Sequence, residues 1–150
     1  MNNKHIIAHM KSAFNYAECS TAEKMKVGCV LVKDDRIISI GYNGMPAGWT
    51  NQCETLSFFN EFGKQVPHPI LVTKPEVLHA EENAITKLAR SNESGDGATA
   101  FITHSPCLSC AKLLYSAGII EVYYTHKYWN TEGLDFLNEC MIKVNAYADN

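Results

Sequence analysis

The sequence predicts a three-layer α/β/α fold, a central sheet with helices on both faces, and three observations predict it. In the C-terminal half, β-rich apolar runs at 98–103 and 119–125 alternate with stretches of helical period at 79–89 and 107–117. Val27–Val32 is nearly continuous in its apolar character, as a strand covered on both faces would be. The chain has 150 residues, 46% of them hydrophobic, which suits one domain spanning 1–150 around a single substantial core.

The first element is an amphipathic helix from His5 to about Cys19, because Ile6, Ile7, Met10, Ala13, Phe14 and Ala17 recur at three- and four-residue steps between Lys4, Lys11, Asn15 and Glu18. Val27–Val32, the turn signal Lys33-Asp34-Asp35-Arg36 and Ile37–Ile40 then read as a hairpin that begins the sheet. Gly41-Tyr42-Asn43-Gly44-Met45-Pro46-Ala47-Gly48 is a glycine-spaced loop. It reads either as an ordinary exit turn or as a place where backbone approaches a ligand closely; it has no Lys-Ser or Lys-Thr ending and so is not a Walker phosphate loop.

From Trp49 to Leu78 no single period persists, and three of the five prolines fall there; Glu54–Phe62 is expected to supply a short helix. The helix over 79–89 buries Ala80, Ala84, Ile85 and Leu88 and precedes the polar loop Ser91–Gly97. Pro106 is expected at the first position of the helix over 107–117, which stops at Gly118. A last helix over Thr131–Glu139, capped by Thr131 or Asn130, and a short strand Met141–Val144 complete the domain.

Charge and composition exclude several classes. Charged residues are 19% of the chain and the formal net charge is −3, so no long basic duplex-binding face is suggested and no nucleic-acid partner is expected. No apolar run reaches the roughly 18 to 20 residues needed to span a bilayer, and the N-terminus lacks the apolar core of a secretory signal. A soluble, cytoplasmic protein without a membrane partner is expected. Six cysteines are then read as reduced thiols, with Cys29 and Cys140 as buried core residues.

Two stretches carry chemistry: His79-Ala80-Glu81 and Pro106-Cys107-Leu108-Ser109-Cys110. The first turn of a helix favours anions, and the i, i+3 spacing brings Cys107 and Cys110 to one side, so both thiols suit a single cation. His79 makes a third ligand. Three protein ligands leave the fourth position of a tetrahedral zinc open for water, as in catalytic sites, whereas a structural zinc would need a fourth ligand such as His104 or Cys140. In mid-helix Glu81 would lie about 200° around from His79. His79 must therefore sit at the helix start, where Glu81 can face the cysteines and serve as proton shuttle. Glu82 is read as a solvated helix residue.

Alone, Cys-x-x-Cys is equally a redox or structural-zinc motif, and His-x-Glu is weaker still; their conjunction is much more specific. His79-x-Glu81, a gap of 24 residues and Pro106-Cys107-x-x-Cys110, all at helix starts, resembles the signature of the zinc-dependent cytidine and deoxycytidylate deaminase superfamily. With His79-Ala-Glu-Glu-Asn-Ala-Ile85, Gly41-Tyr-Asn-Gly-Met-Pro46 and Val27-Gly28 before a strand, nearly the whole chain looks like the deoxycytidylate (dCMP) deaminase family. Free cytidine deaminases usually carry Cys where His79 stands, and the acidic balance does not suit a tRNA deaminase.

The resemblance implies a cytidine-deaminase-like sheet with zinc at two helix N-termini, and hydrolysis of dCMP to dUMP and ammonia by a water activated on Zn2+. It implies Glu81 as proton carrier, Asn43 toward the sugar, Tyr128 packing over the nucleotide, and main-chain groups at Ala80 and Ser105 reading the base. It also implies a homo-oligomer, commonly a hexamer, activated by dCTP and inhibited by dTTP. Lys24, Lys26, Gly44 and Arg90 are the corresponding candidates for a triphosphate effector with Mg2+. Some phage members bind a second zinc. Cys19, Cys53 and His68 are the matching residues here, although Val77 stands where a further histidine would fall. Two rivals stand beside this reading: an enzyme acting on dCTP as well as dCMP, and a non-catalytic zinc-stabilised binding module.

Overall fold

The computed structural model describes residues 1–148. Its elements are α1 (Asn3–Ala17), β1 (Gly28–Lys33), β2 (Arg36–Tyr42), β3 (Glu54–Phe59), β4 (Gln65–Thr73), α2 (Ala80–Leu88), β5 (Thr99–His104), α3 (Leu108–Ser116), β6 (Glu121–His126), α4 (Glu132–Glu139) and β7 (Lys143–Ala146). Five strands form one sheet in the order β2-β1-β5-β6-β7. β1 runs antiparallel to both β2 and β5, while β5, β6 and β7 are mutually parallel. Parallel neighbours need crossovers, and α3 and α4 supply them.

The expected three layers are present, and β1 explains its own apolar run. Val30 and Val32 pack with Met10 and Ala13 of α1 and with Phe101. Cys29 and Leu31 face the opposite way, onto a core that includes Ala84 and Leu88 of α2, Ala111 and Leu114 of α3 and Leu137 of α4. A strand buried on both faces has no solvent side to mark with polar residues, hence the unbroken run. The helix expected over His5–Cys19 lies at Asn3–Ala17, started by Asn2, whose Oδ1 accepts from the Lys4 N–H at 2.9 Å. At the other end of the chain, Asn130 rather than Thr131 provides the cap contact for α4, accepting from the Glu132 N–H at 2.9 Å.

The short helix expected within Glu54–Phe62 is absent: this segment is β3 and the turn that follows it. Thr55, Phe58 and Phe59 favour extended backbone. The Asn60 side chain accepts from the Phe62 and Lys64 N–H groups at 3.0 and 2.9 Å, and Gly63 turns the chain at a φ of 77°. β4 returns antiparallel to β3 as a two-stranded sheet apart from the main one. Pro67 and Pro69 are tolerated because the register shifts between the Ser57–Ile70 and Phe59–Gln65 pairs, leaving 66–69 outside the regular ladder. Among the described residues, no helix is long and apolar enough to cross a membrane.

Candidate metal centre and catalytic cavity

Two helix starts meet beside the sheet. His79 is the cap residue of α2, with extended backbone (φ −74°, ψ 156°), and its carbonyl accepts from the Asn83 N–H at 2.9 Å. This is the placement the His-x-Glu spacing demands. Glu82 is half-buried and does more than meet solvent: its Oε1 accepts from the His79 N–H at 3.1 Å and fixes the entry of the chain into the helix. The preceding residue is also held, since Leu78 and Gly44 exchange both backbone hydrogen bonds, at 2.8 and 3.1 Å. Gly41 allows β2 to lie directly against this turn: a Cβ there would sit 2.2 Å from the Ala80 carbonyl oxygen.

Cys107 likewise caps α3 (φ −70°, ψ 170°), and its carbonyl accepts from the Ala111 N–H at 2.9 Å. The helix therefore begins at Leu108, and Pro106 precedes the cap instead of opening the helix. Its carbonyl is where α4 docks, with a Cβ on Gly133 falling 2.0 Å from the Pro106 oxygen. Cys110, one turn in, is buried.

The His79 Nδ1 lies 3.6 Å from the Cys107 Sγ and 3.4 Å from the Cys110 Sγ. A tetrahedral ion with Zn–S bonds of about 2.3 Å and Zn–N bonds of about 2.0 Å requires a sulfur-to-nitrogen separation of about 3.6 Å. The three residues fit zinc. Among the described residues, this group has no fourth His, Cys, Asp or Glu. His104 is engaged elsewhere, its Nδ1 2.9 Å from the Thr103 Oγ1 and its ring 4.9 Å from that of His126. Cys140 packs on the main core.

The protonation chemistry of the donor set agrees with that fit. The Cys107 thiol is pulled down to about 4, first by the hydrogen bond from Cys110 and then by His79, against the opposing cost of burial. Cys110 is raised because it gives its proton to Cys107 and is buried beside Glu81. His79 is raised chiefly by its hydrogen bond to Cys107. Three donors thus share protons that a divalent cation displaces. Glu81 is 4% exposed, and burial raises its carboxyl above the usual range, with its own backbone amide and Cys110 opposing. A carboxyl poised to hold and release a proton results.

A cavity of about 340 Å3 opens onto this centre. Asn43, Ala80, Glu81, Ser105 and Tyr128 all line it, together with His79 and Cys107. Asn43 also ties down a loop: its Oδ1 accepts from the Val27 N–H at 2.9 Å and its Nδ2 donates to the Met25 carbonyl at 2.8 Å. Ser105 holds Tyr128, accepting at Oγ from the Tyr128 N–H at 2.7 Å.

The four effector candidates fall on three segments of the chain. Lys24 lines the catalytic cavity, Gly44 sits in the bridge to Leu78, Lys26 is exposed, and Arg90 lies beyond the far end of α2. Cys19 and His68 are exposed whereas Cys53 is buried with Ala22 and Val77, and no second metal cluster occurs among the described residues. Sequence reasoning missed the hairpin contributions to the cavity, Glu54, Asn60 and Glu61, for which no motif exists. It also missed the Glu82 cap contact, for which the three-residue spacing from His79 was an available signal.

A zinc-fitting His/Cys/Cys centre at two helix starts, with a buried carboxyl at its mouth, defines a class that similarity to known proteins makes specific. The chain belongs to the cytidine and deoxycytidylate deaminase family, whose zinc-binding region matches residues 3–126. It is 33% identical over 147 residues to the deoxycytidylate deaminase of Enterobacteria phage T4, covering 79% of this chain and 76% of that one. The deoxycytidylate deaminase of Saccharomyces cerevisiae is 34% identical over 93% of this chain, which spans only 43% of the yeast protein. Among solved structures, the dCMP deaminase of cyanophage S-TIM5 in complex with dCMP and dUMP superposes with a TM-score of 0.85 at 40% identity, covering 98% of this chain and 99% of that one.

Proposed function

We propose that residues 1–150 form one deaminase domain that hydrolyses dCMP to dUMP, taking up one water and releasing one ammonia. The observation that carries this reading is the buried Glu81 beside a three-ligand centre that opens onto a nucleotide-sized cavity. His79, Cys107 and Cys110 would hold Zn2+, which when bound would supply a Lewis acid for activating water. Glu81 takes a proton from the attacking water and delivers it to N3 of the cytosine as the water oxygen bonds to C4, then moves the C4-hydroxyl proton to the amino nitrogen as the C4–N bond breaks and ammonia leaves. Main-chain groups at Ala80 and Ser105 read the base edge, Tyr128 packs over the nucleotide, and Asn43 faces the sugar.

The product feeds dTMP synthesis. The active form is a homo-oligomer, a hexamer, in the cytoplasm, or in the host's cytoplasm if the chain is phage-encoded. dCTP with Mg2+ activates it and dTTP inhibits it, with Lys24, Lys26, Gly44 and Arg90 as effector candidates. The test is ammonia release from dCMP, dCTP, CMP and deoxycytidine, with and without dCTP or dTTP plus magnesium. Turnover of dCMP well above the other three supports the reading. Equal or better turnover of dCTP overturns the monophosphate preference, and an Arg90→Ala protein with unchanged effector responses removes Arg90 from the effector set.

A further inference from the structure

The β3–β4 hairpin is tied to the body of the protein at one end and meets it again at the other. At its base the Lys74 N–H donates to the Cys53 carbonyl at 2.8 Å, and Glu54 accepts from the Glu23 and Lys24 N–H groups, each at 3.1 Å. Between base and tip the two strands pair only with each other, and their ladder breaks where the register shifts between Ser57 and Phe59. A two-stranded ribbon is marginal in water, and an interrupted ladder is where it bends. The tip is firm in itself. The Asn60 N–H donates to the Lys64 carbonyl at 2.8 Å, the Gly63 N–H donates to the Asn60 carbonyl at 3.0 Å, and the Asn60 side chain accepts from the Phe62 and Lys64 N–H groups. Asn60 and Glu61 also line the cavity that Glu81 and Tyr128 line. About 20 Å of extended chain separates Glu54 from Asn60, so the ribbon reaches across the cavity from one tethered end.

At the far end the Phe62 ring meets Trp129 edge to face, with centroids 5.5 Å apart and planes at 68°. The two residues are 66% and 61% exposed, so neither ring serves the core. Their contact bridges the hairpin tip to the segment after β6. Trp129 follows Tyr128, the two rings lie 5.5 Å apart, and the Tyr128 N–H is held by the Ser105 Oγ at 2.7 Å. The seat for Phe62 is therefore fixed to the wall that carries the metal centre. An edge-to-face aromatic pair favours contact by about 2- to 12-fold. That strength suits a gate, because it biases the hairpin toward closure and still lets nucleotide enter and product leave in each turnover.

Resting on the dCMP reading of this cavity, we propose that Phe62 is a positioning residue, whose ring on Trp129 latches the hairpin as a flap over the cavity and keeps dCMP seated there. Phe62 does not itself line the cavity. It acts through the tip, which carries Asn60 and Glu61 into the cavity wall. The latch governs how long the nucleotide stays, while the groups that react stand on the opposite wall.

The experiment uses zinc-loaded full-length protein carrying Trp49→Phe, which leaves Trp129 as the sole tryptophan. In that background Phe62→Ala is expected to raise the KM for dCMP about 3- to 10-fold while kcat moves less than about 2-fold, and Phe62→Tyr is expected to restore the KM. Without nucleotide, Phe62→Ala is expected to open Trp129 emission to acrylamide quenching, and Phe62→Tyr to close it again. An unchanged KM in Phe62→Ala overturns the proposal, and so does a raised KM that Phe62→Tyr fails to restore. A urea midpoint that falls in step with the rise in KM would make Phe62 a merely structural residue and overturns it too. Equal quenching in the Phe62 and Phe62→Ala proteins shows that there is no latch, whatever the turnover. Failure of the unmodified protein to release ammonia from dCMP would sink the functional reading through a separate measurement, while the quenching still decides the latch.

Discussion

The two walls of the cavity are built in opposite ways. The wall of helix starts is over-determined: His79 is held by Glu82, Leu78 by Gly44, Cys107 by Ala111, and both α2 and α4 dock through glycines that leave no room for a Cβ. The β3–β4 wall pairs only with itself, shifts register at its prolines, and exposes Leu56, Phe58, Phe59 and Phe62. Its base is fixed where Glu54 accepts from the Glu23 and Lys24 N–H groups, and at its turn the exposed ring of Phe62 meets Trp129, centroids 5.5 Å apart. The reacting groups need sub-ångström placement and sit on the rigid wall. The looser wall also lines the cavity, through Glu54, Asn60 and Glu61.

The largest expected effects separate two functions within the rigid wall. Glu81→Gln should retain zinc and nucleotide binding while kcat falls about 1,000-fold or more, because Gln fills the same space and cannot carry a proton. Cys107→Ala should lose zinc as well as activity, since two donors remain of three. Metal content after dialysis, set beside turnover, reads both. Near-normal turnover in Glu81→Gln would remove Glu81 from proton transfer, and full zinc retention in Cys107→Ala would place the metal elsewhere.

Packing around the metal comes next. A Cβ at Gly41 would meet the Ala80 carbonyl oxygen at 2.2 Å and the Ala84 nitrogen at 2.6 Å, both backbone atoms of the helix that carries Glu81. Gly41→Ala should therefore cost about 3 kcal/mol in urea unfolding and weaken zinc binding, because α2 must shift. At Gly44, where a Cβ would meet nothing within 4 Å, the same change should be far milder. Equal costs at the two glycines would mean that β2 does not set the position of α2.

How much of this was legible in the sequence divides along the same line. The rigid wall announces itself because its chemistry needs particular residue types at fixed spacings: His79 had to cap a helix for Glu81 to reach the cysteines, and it does. β1 was readable from its apolar run because two layers cover it. Pro106 was misplaced by two positions, since proline is as compatible with the residue before a cap as with the first turn, and only the extended backbone of Cys107 decides. The hairpin was unreadable for a different reason. Its strands are half outside any core, so they carry no alternation, and Pro67 and Pro69 speak against a strand unless the bulge that shelters them is already known. Glu54 and Glu61 meet the cavity only through that pairing.

His104 offers a smaller, pH-dependent test at the seam between the walls. Burial, and next the neighbouring His126, hold its imidazole down at about 4 against an ordinary value near 6.5. The Thr103 hydroxyl, which accepts from the Gly28 N–H at 3.1 Å, is also hydrogen-bonded to the His104 Nδ1 at 2.9 Å. Between pH 6.5 and 4 the unfolded chain binds a proton at this site that the folded protein does not, so stability falls as pH falls through that window. The loss accumulates between pH 7 and pH 5, softened by the solvent that reaches the half-buried ring. His104→Gln should flatten that part of the pH dependence in urea midpoints measured at the two values. An unchanged slope would assign the acid sensitivity to other groups.

The smallest effect belongs to the outer face of the hairpin, where the comparison of walls can be broken outright. Leu56 is 71% exposed and its neighbours on this ribbon are exposed too, so in the isolated chain a polar replacement removes almost no buried area. Leu56→Ser should change unfolding free energy by no more than about 0.5 kcal/mol and leave kcat for dCMP unaltered. A two-stranded ribbon is marginal in water on its own, which makes the expectation a sharp one. Sedimentation of both proteins at the concentration used for unfolding checks the remaining possibility directly: a loss above about 2 kcal/mol accompanied by a smaller assembly would mean that another subunit covers this face, and that the looser wall is rigid in the assembled protein.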